Sequence, residues 1–173
     1  DTKISLKDLI EKSCESVVAI NVFLEEDLEK SGEKKKKDEK NEIPDNLYIG
    51  SGFLIAPNLI ITNHHVIKGK VKKIVILWDK KLGKKEVEAT VISSNENDDL
   101  ALLKISENME KFLPLDDKEP QVGDSVVLLT FPDTQETAYE NERHLHVFKG
   151  IVANISQSRL ILDARVLRGC SGG

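Results

Sequence analysis

Three groups of residues in this chain could together break an acyl bond. Ser171 stands in Gly169-Cys170-Ser171-Gly172-Gly173, where the glycines allow backbone N–H groups to approach a developing oxyanion. A serine hydroxyl is a poor nucleophile at neutral pH unless a base takes its proton as it attacks. The pair His64-His65 offers such a base, at the end of a strand, turn and strand pattern running from Gly50 to Val66. A carboxylate to orient the base is available in Asp98-Asp99, directly before the apolar run Leu100-Ala101-Leu102-Leu103. His, Asp and Ser therefore occur in one of the chain orders in which a nucleophile triad is built.

Other chemistries have weaker support. Adjacent histidines point apart in most backbones, and no further ligand is suitably spaced for a metal at His64-His65. His144 and His146 could share a strand face, but they too lack the further ligands that zinc needs. No metal and no cofactor is expected. Cys170 as the nucleophile would resemble the viral cysteine proteases, but in that group glycine follows the cysteine, whereas here Ser171 does. Cys14 and Cys170 fall in separate parts of the chain and are expected as free thiols, with Cys14 a small packing residue.

The elements that must carry these groups are mostly short strands. With 173 residues, 39% of them hydrophobic and 32% charged, the chain can bury a sizeable core. Its net charge of −5, with lysines mixed among acids, leaves no basic face for nucleic acid. No apolar run approaches the length of a bilayer span, and no charged-then-apolar leader precedes the first element. A short helix is predicted first, capped by Ser5 with Asp8 three residues on, with Leu6, Leu9, Ile10 and Cys14 on one face. Strands are predicted at Val17–Phe23, Leu47–Ala56, Leu59–Thr62, Val71–Trp78, Glu86–Ile92 and Leu100–Ile105, then at Ser125–Thr130, Leu145–Gln157 and Arg159–Ala164. Segment 25–46, dense in Lys and Glu, is too polar to offset its chain entropy by burial and is expected to be a mobile insertion. Segment 132–148 is long and polar for a connection between strands.

The blocks Thr62-Asn63-His64-His65-Val66, Asp99-Leu100-Ala101-Leu102 and Gly169-Cys170-Ser171-Gly172-Gly173 resemble those of the trypsin-like, chymotrypsin-fold serine proteases. The likeness is greatest to the bacterial-type HtrA/Deg branch, whose blocks are Thr-Asn-x-His-Val, Asp-[Leu/Ile]-Ala-Leu and Gly-x-Ser-Gly-Gly. It runs from about Ser16 to Gly173 and includes Asp163-Ala164 upstream of the serine. It implies an all-β fold of two chymotrypsin-like β-barrels with a short N-terminal helix. The expected divisions are a helix at 1–15, an N-terminal barrel at 16–105, a crossing segment at 106–124 and the first half of a C-terminal barrel at 125–173. The family continues past this point into three more strands, so the second barrel is expected to be incomplete here.

The resemblance also sorts the paired candidates. The histidine directly before the valine is catalytic in the family, which selects His65, and the aspartate directly before Leu-Ala-Leu selects Asp99. Ser171 is then the nucleophile, with the N–H groups of Gly169 and Ser171 as the oxyanion hole. Arg165, six residues before Ser171, falls where related proteases place a residue at the base of the specificity pocket, and Arg168 falls at its rim. An arginine there would suit an acidic side chain. The implied function is a serine endopeptidase acting on polypeptides through an acyl-enzyme. The alternative is a catalytically incompetent protease-like binding or sensing module, or a fragment. The resemblance further implies an extracytoplasmic location, periplasmic or secreted, and a homo-oligomer built through the N-terminal region or loop 25–46.

Overall fold

The computed structural model describes residues 4–25, 46–79, 86–133, 144–156 and 159–173. The expected mobile insertion falls on residues that, apart from its two ends, lie outside this set, as does much of segment 132–148.

Helix α1 (Leu6–Ser13) starts where Ser5, in an extended conformation, accepts the Asp8 N–H on its hydroxyl at 3.1 Å. None of its residues is buried. Its apolar face is only part-covered, with Leu9 and Ile10 bordering a groove shared with Phe53, Leu113 and Leu129. Cys14, placed on that face by the sequence, is half-buried and its thiol approaches Glu11 O at 3.5 Å. It is not a core packing residue, because the helix lies on the surface of the fold.

After a 3-10 turn at Cys14–Ser16 come β1 (Val17–Leu24), β2 (Leu47–Ala56), β3 (Leu59–Thr62), β4 (Val71–Leu77), β5 (Val87–Asn95) and β6 (Leu100–Ile105). These six close into an antiparallel barrel in the order β1-β2-β3-β6-β5-β4. Its interior is filled by Val18, Ile20, Val22, Leu54, Ile60, Ile74, Ile76 and Leu103. Strand side chains alternate between faces, so the other face of β1 and β4 points outward. There Val17, Ala19, Val75 and Leu77 are buried against Phe131 in a second core. Burial on both faces explains why β1 reads as a nearly unbroken apolar run rather than an alternating one.

The connection 106–124 runs along the barrel wall, where Met109 N donates to Pro57 O at 2.7 Å and Leu113 N to Leu54 O at 2.8 Å. Then β7 (Ser125–Thr130), β8 (His146–Ser156) and β9 (Arg159–Ala164) form an antiparallel three-stranded sheet in that order. The all-β class and the closed first barrel agree with the sequence reading, and the second sheet is partial.

Of the strand ends that differ from expectation, most by one residue, three have a visible physical reason. β4 stops at Leu77 because Trp78 turns its indole N–H to Glu15 O at 3.2 Å. β5 continues past Ile92 through Ser93, Ser94 and Asn95, polar residues that still pair with Leu102, Ala101 and Leu100 although their side chains are exposed. β8 begins at His146 because the Leu145 N–H is taken by the Asp79 carboxylate at 2.9 Å.

Candidate active site

The extended β5–β6 ladder delivers Asp99. Residues 96–99 make the turn between the two strands, tied by Asp99 N to Glu96 O at 3.3 Å, and Asp99 adopts φ 52°. That left-handed conformation is uncommon for a residue with a Cβ, though Asp tolerates it better than most. The backbone is held from outside by Asn63, whose side-chain amide donates to Asp99 O at 2.9 Å.

His65 lies in the 3-10 turn His64–Ile67 that follows β3. Asp99 grips it twice. One carboxylate oxygen accepts the His65 backbone N–H at 2.9 Å and the other lies 2.7 Å from ring Nδ1. This bidentate hold fixes the ring's direction and leaves Nε2 as the nitrogen for a hydroxyl partner. Burial alone would push the Asp99 carboxyl up. Hydrogen bonds from the His65 backbone and ring, with the charge that His65 and His64 carry when protonated, outweigh it and hold the carboxyl below its ordinary range.

The neighbouring candidates go elsewhere. Asp98 accepts the Asn95 side-chain amide within the turn. His64 buries Nδ1 without a hydrogen-bond partner among the described residues. His146 stacks on Phe148, with ring centroids 6.1 Å apart, and His144 lies 3.9 Å from Asp79. Among the described residues no group of three or more metal-ligating side chains converges.

Ser171 is carried by the turn after β9. Gly169 has φ 82° and Gly172 φ 88°, so a side chain at either would be strained. Contacts forbid one as well. A Cβ at Gly169 would come within 2.6 Å of Asp133 N, and one at Gly172 would overlap Ser51 O and the Thr62 hydroxyl. The turn is bound to the barrel through Ser51 N, which donates to Ser171 O at 2.7 Å. Thr62 Oγ1 donates to Ser51 O at 2.7 Å, so the Ser171 turn meets the barrel three residues before His65. No hydrogen bond joins Ser171 Oγ to the His65 ring among the described residues. Such contacts are commonly loose before substrate binds.

Arg165 and Arg168 are exposed. Arg168 places Nε 3.6 Å from the nearly buried Asp133 carboxylate, and no described ion pair involves Arg165. Sequence reasoning missed Ser51, Asn63 and Thr130. Ser51 between Gly50 and Gly52 was the one local signal, a small hydroxyl where the chain needs close approach.

Comparison with known proteins places these features in context. The profile described as "Trypsin-like peptidase domain" matches residues 50–173. A probable periplasmic serine endoprotease, DegP-like, from Rickettsia prowazekii is 41% identical over 115 residues, covering 64% of this chain and 21% of that protein. A protein of the same description from Brucella suis is 32% identical over 132 residues, covering 72% of this chain and 24% of its own length. The chain thus spans about a fifth to a quarter of these relatives. Among solved structures, the serine endoprotease from Yersinia pestis superposes with a TM-score of 0.71 at 23% identity, covering 100% of this chain and 53% of the other. A protease from M. tuberculosis in its active form gives 0.67 at 19% identity, covering 95% and 66%. At these identities the two structures speak for the fold.

Proposed function

We propose that this chain, which belongs to the trypsin-like peptidase domain family, supplies the catalytic residues of a serine endopeptidase. The observation that carries the reading is the double hydrogen bond of Asp99 to His65, because it sets the tautomer that a general base needs and stabilises the imidazolium formed as Ser171 attacks. In this mechanism His65 Nε2 takes the Ser171 proton as Oγ adds to the scissile carbonyl. The N–H groups of Gly169 and Ser171 receive the oxyanion, each contributing about 3 kcal/mol to lowering the barrier. His65 then returns the proton to the leaving amine, and water repeats the sequence on the acyl-enzyme.

The serine endoprotease relatives support polypeptides as substrates, and their periplasmic description supports an extracytoplasmic site of action. No helix among the described residues is long and apolar enough to cross a membrane. Arg165 and Arg168 are the candidates for reading the residue before the cut. If they do, peptides with Asp or Glu there are hydrolysed faster than those with Val, Leu or Ala, and equal rates remove that assignment.

The test of the main reading is intact mass after a fluorophosphonate probe, with Ser171→Ala beside the parent chain. A single adduct absent from the variant supports the endopeptidase. No adduct on the parent favours the alternative, a protease-like binding or sensing module or a fragment.

A further inference from the structure

Four successive carbonyl groups of the Ser171 turn are held by one buried wall. Arg168 O accepts from Asp133 N at 2.6 Å and Ser171 O from Ser51 N at 2.7 Å. Gly169 O lies 3.1 Å from Ser51 Oγ. Cys170 O takes Thr130 Oγ1 at 3.3 Å and Gly173 N at 3.1 Å. In a planar trans peptide the N–H points opposite to the C=O. Fixing Arg168 O and Cys170 O therefore aims the N–H groups of Gly169 and Ser171 away from the wall.

Two hydroxyls make the middle of that wall. Ser51, from β2 of the barrel, and Thr130, from β7 of the sheet, are both 0% exposed, and their oxygens are 2.8 Å apart. Ser51 Oγ also accepts the Phe131 N–H at 2.9 Å. Each hydroxyl has one proton to give. If Thr130 donates to Ser51, the Ser51 proton is free for Gly169 O. If Ser51 donates to Thr130, the Thr130 proton is free for Cys170 O. The other acceptor in reach, Phe131 O at 3.5 Å from Ser51 Oγ, is at the limit of a hydrogen bond. In both proton orders the pair delivers one O–H to a carbonyl of the turn.

We propose that Ser51 and Thr130 are positioning residues for the Ser171 turn: through Cys170 O they orient the Ser171 N–H for an oxyanion, and through Gly169 O they pin Gly169, whose own N–H is aimed by the Asp133 bond to Arg168 O, and they do so only when barrel and sheet are docked. The inference rests on the endopeptidase reading for its catalytic consequence. Its structural content stands apart from that reading.

The experiment compares Ser51→Ala, the near-isosteric Thr130→Val and the hydroxyl-retaining Thr130→Ser in the 173-residue chain. Phosphonylation of Ser171 is timed well below each thermal midpoint, and the Gly169 and Ser171 amide resonances are followed by NMR. Ser51→Ala and Thr130→Val should slow phosphonylation about 10- to 100-fold, the scale of a small misplacement at a reacting centre, and shift or broaden both amides. Thr130→Ser should restore rate and resonances even if its midpoint falls. Rates that follow the midpoints in all three variants overturn the proposal. So do unchanged Gly169 and Ser171 amides in Ser51→Ala and Thr130→Val. If the parent chain is not phosphonylated, the endopeptidase reading fails, while the amide resonances still decide the positioning role. Should Ser51→Ala not fold, the comparison of Val with Ser at position 130 carries the test.

Discussion

Asp99 concentrates several demands in one residue. It adopts a left-handed backbone, closes the β5–β6 turn and spends both carboxylate oxygens on His65. Replacing it by Asn keeps the shape but presents an amide where a carboxylate accepted twice, so the ring can take the wrong tautomer. On the proposed endopeptidase reading, turnover of a peptide substrate should then fall by about 10⁴-fold with little change in KM. The pH dependence of stability follows from the lowered carboxyl. A carboxyl depressed by folding stabilises the protein above its unfolded value, about 3.9, and that contribution is lost as pH falls through the lower folded value. Thermal midpoints of the parent and Asp99→Asn should therefore differ most above about pH 4 and converge on further acidification. A constant gap down to pH 2 would show that the hydrogen bonds do not depend on ionisation.

At the level of elements, the Ser171 turn works because glycine stands where it must. Gly172→Ala places a methyl against Ser51 O with φ near 88° and should cost at least about 1–3 kcal/mol in denaturant unfolding. A loss well under that would mean that the turn relaxes freely. The strands were legible because their apolar runs are short and bounded by turn residues such as Pro57-Asn58, and α1 because Ser5 caps it. The tail of β5 was not, since Ser93, Ser94 and Asn95 pair through backbone alone and leave no hydrophobic signal. Choosing His65 over His64, or Asp99 over Asp98, needed the family's blocks, because spacing treats adjacent residues alike. The Ser51–Thr130 pair joins positions 79 residues apart, so the glycines beside Ser51 hint at close approach but nothing local names Thr130 as its partner.

For the whole molecule, two units with unequal finish meet around Phe131 and the Ser51–Thr130 pair. The barrel is closed, whereas the sheet presents Ile151, Ile155, Leu160, Ile161 and Leu162 to solvent, each 38% exposed or more. Apolar strands open in this way favour pairing with another copy. The 173-residue chain should self-associate as concentration rises in sedimentation experiments, and Ile161→Lys should weaken that association. Equal behaviour of parent and variant would place the contact elsewhere. Phe131 is fully buried between the units, and Phe131→Ala should lose about 3–5 kcal/mol in urea unfolding. Barrel amides that stay protected in that variant while sheet amides open would show that docking, and not the barrel, had failed.

The bond from Ser51 N to Ser171 O also imposes an order in time. During synthesis at about 5–20 residues per second, Ser171 emerges several seconds after Asp99, when the barrel that carries Ser51 is already complete in sequence. The barrel can thus serve as a template against which the Ser171 turn is cast, and a nascent chain that has not yet reached Ser171 can already hold its His65–Asp99 pair. In refolding followed by pulsed hydrogen exchange, β1–β6 should gain protection before residues 169–173. Simultaneous protection would mean that template and cast form together.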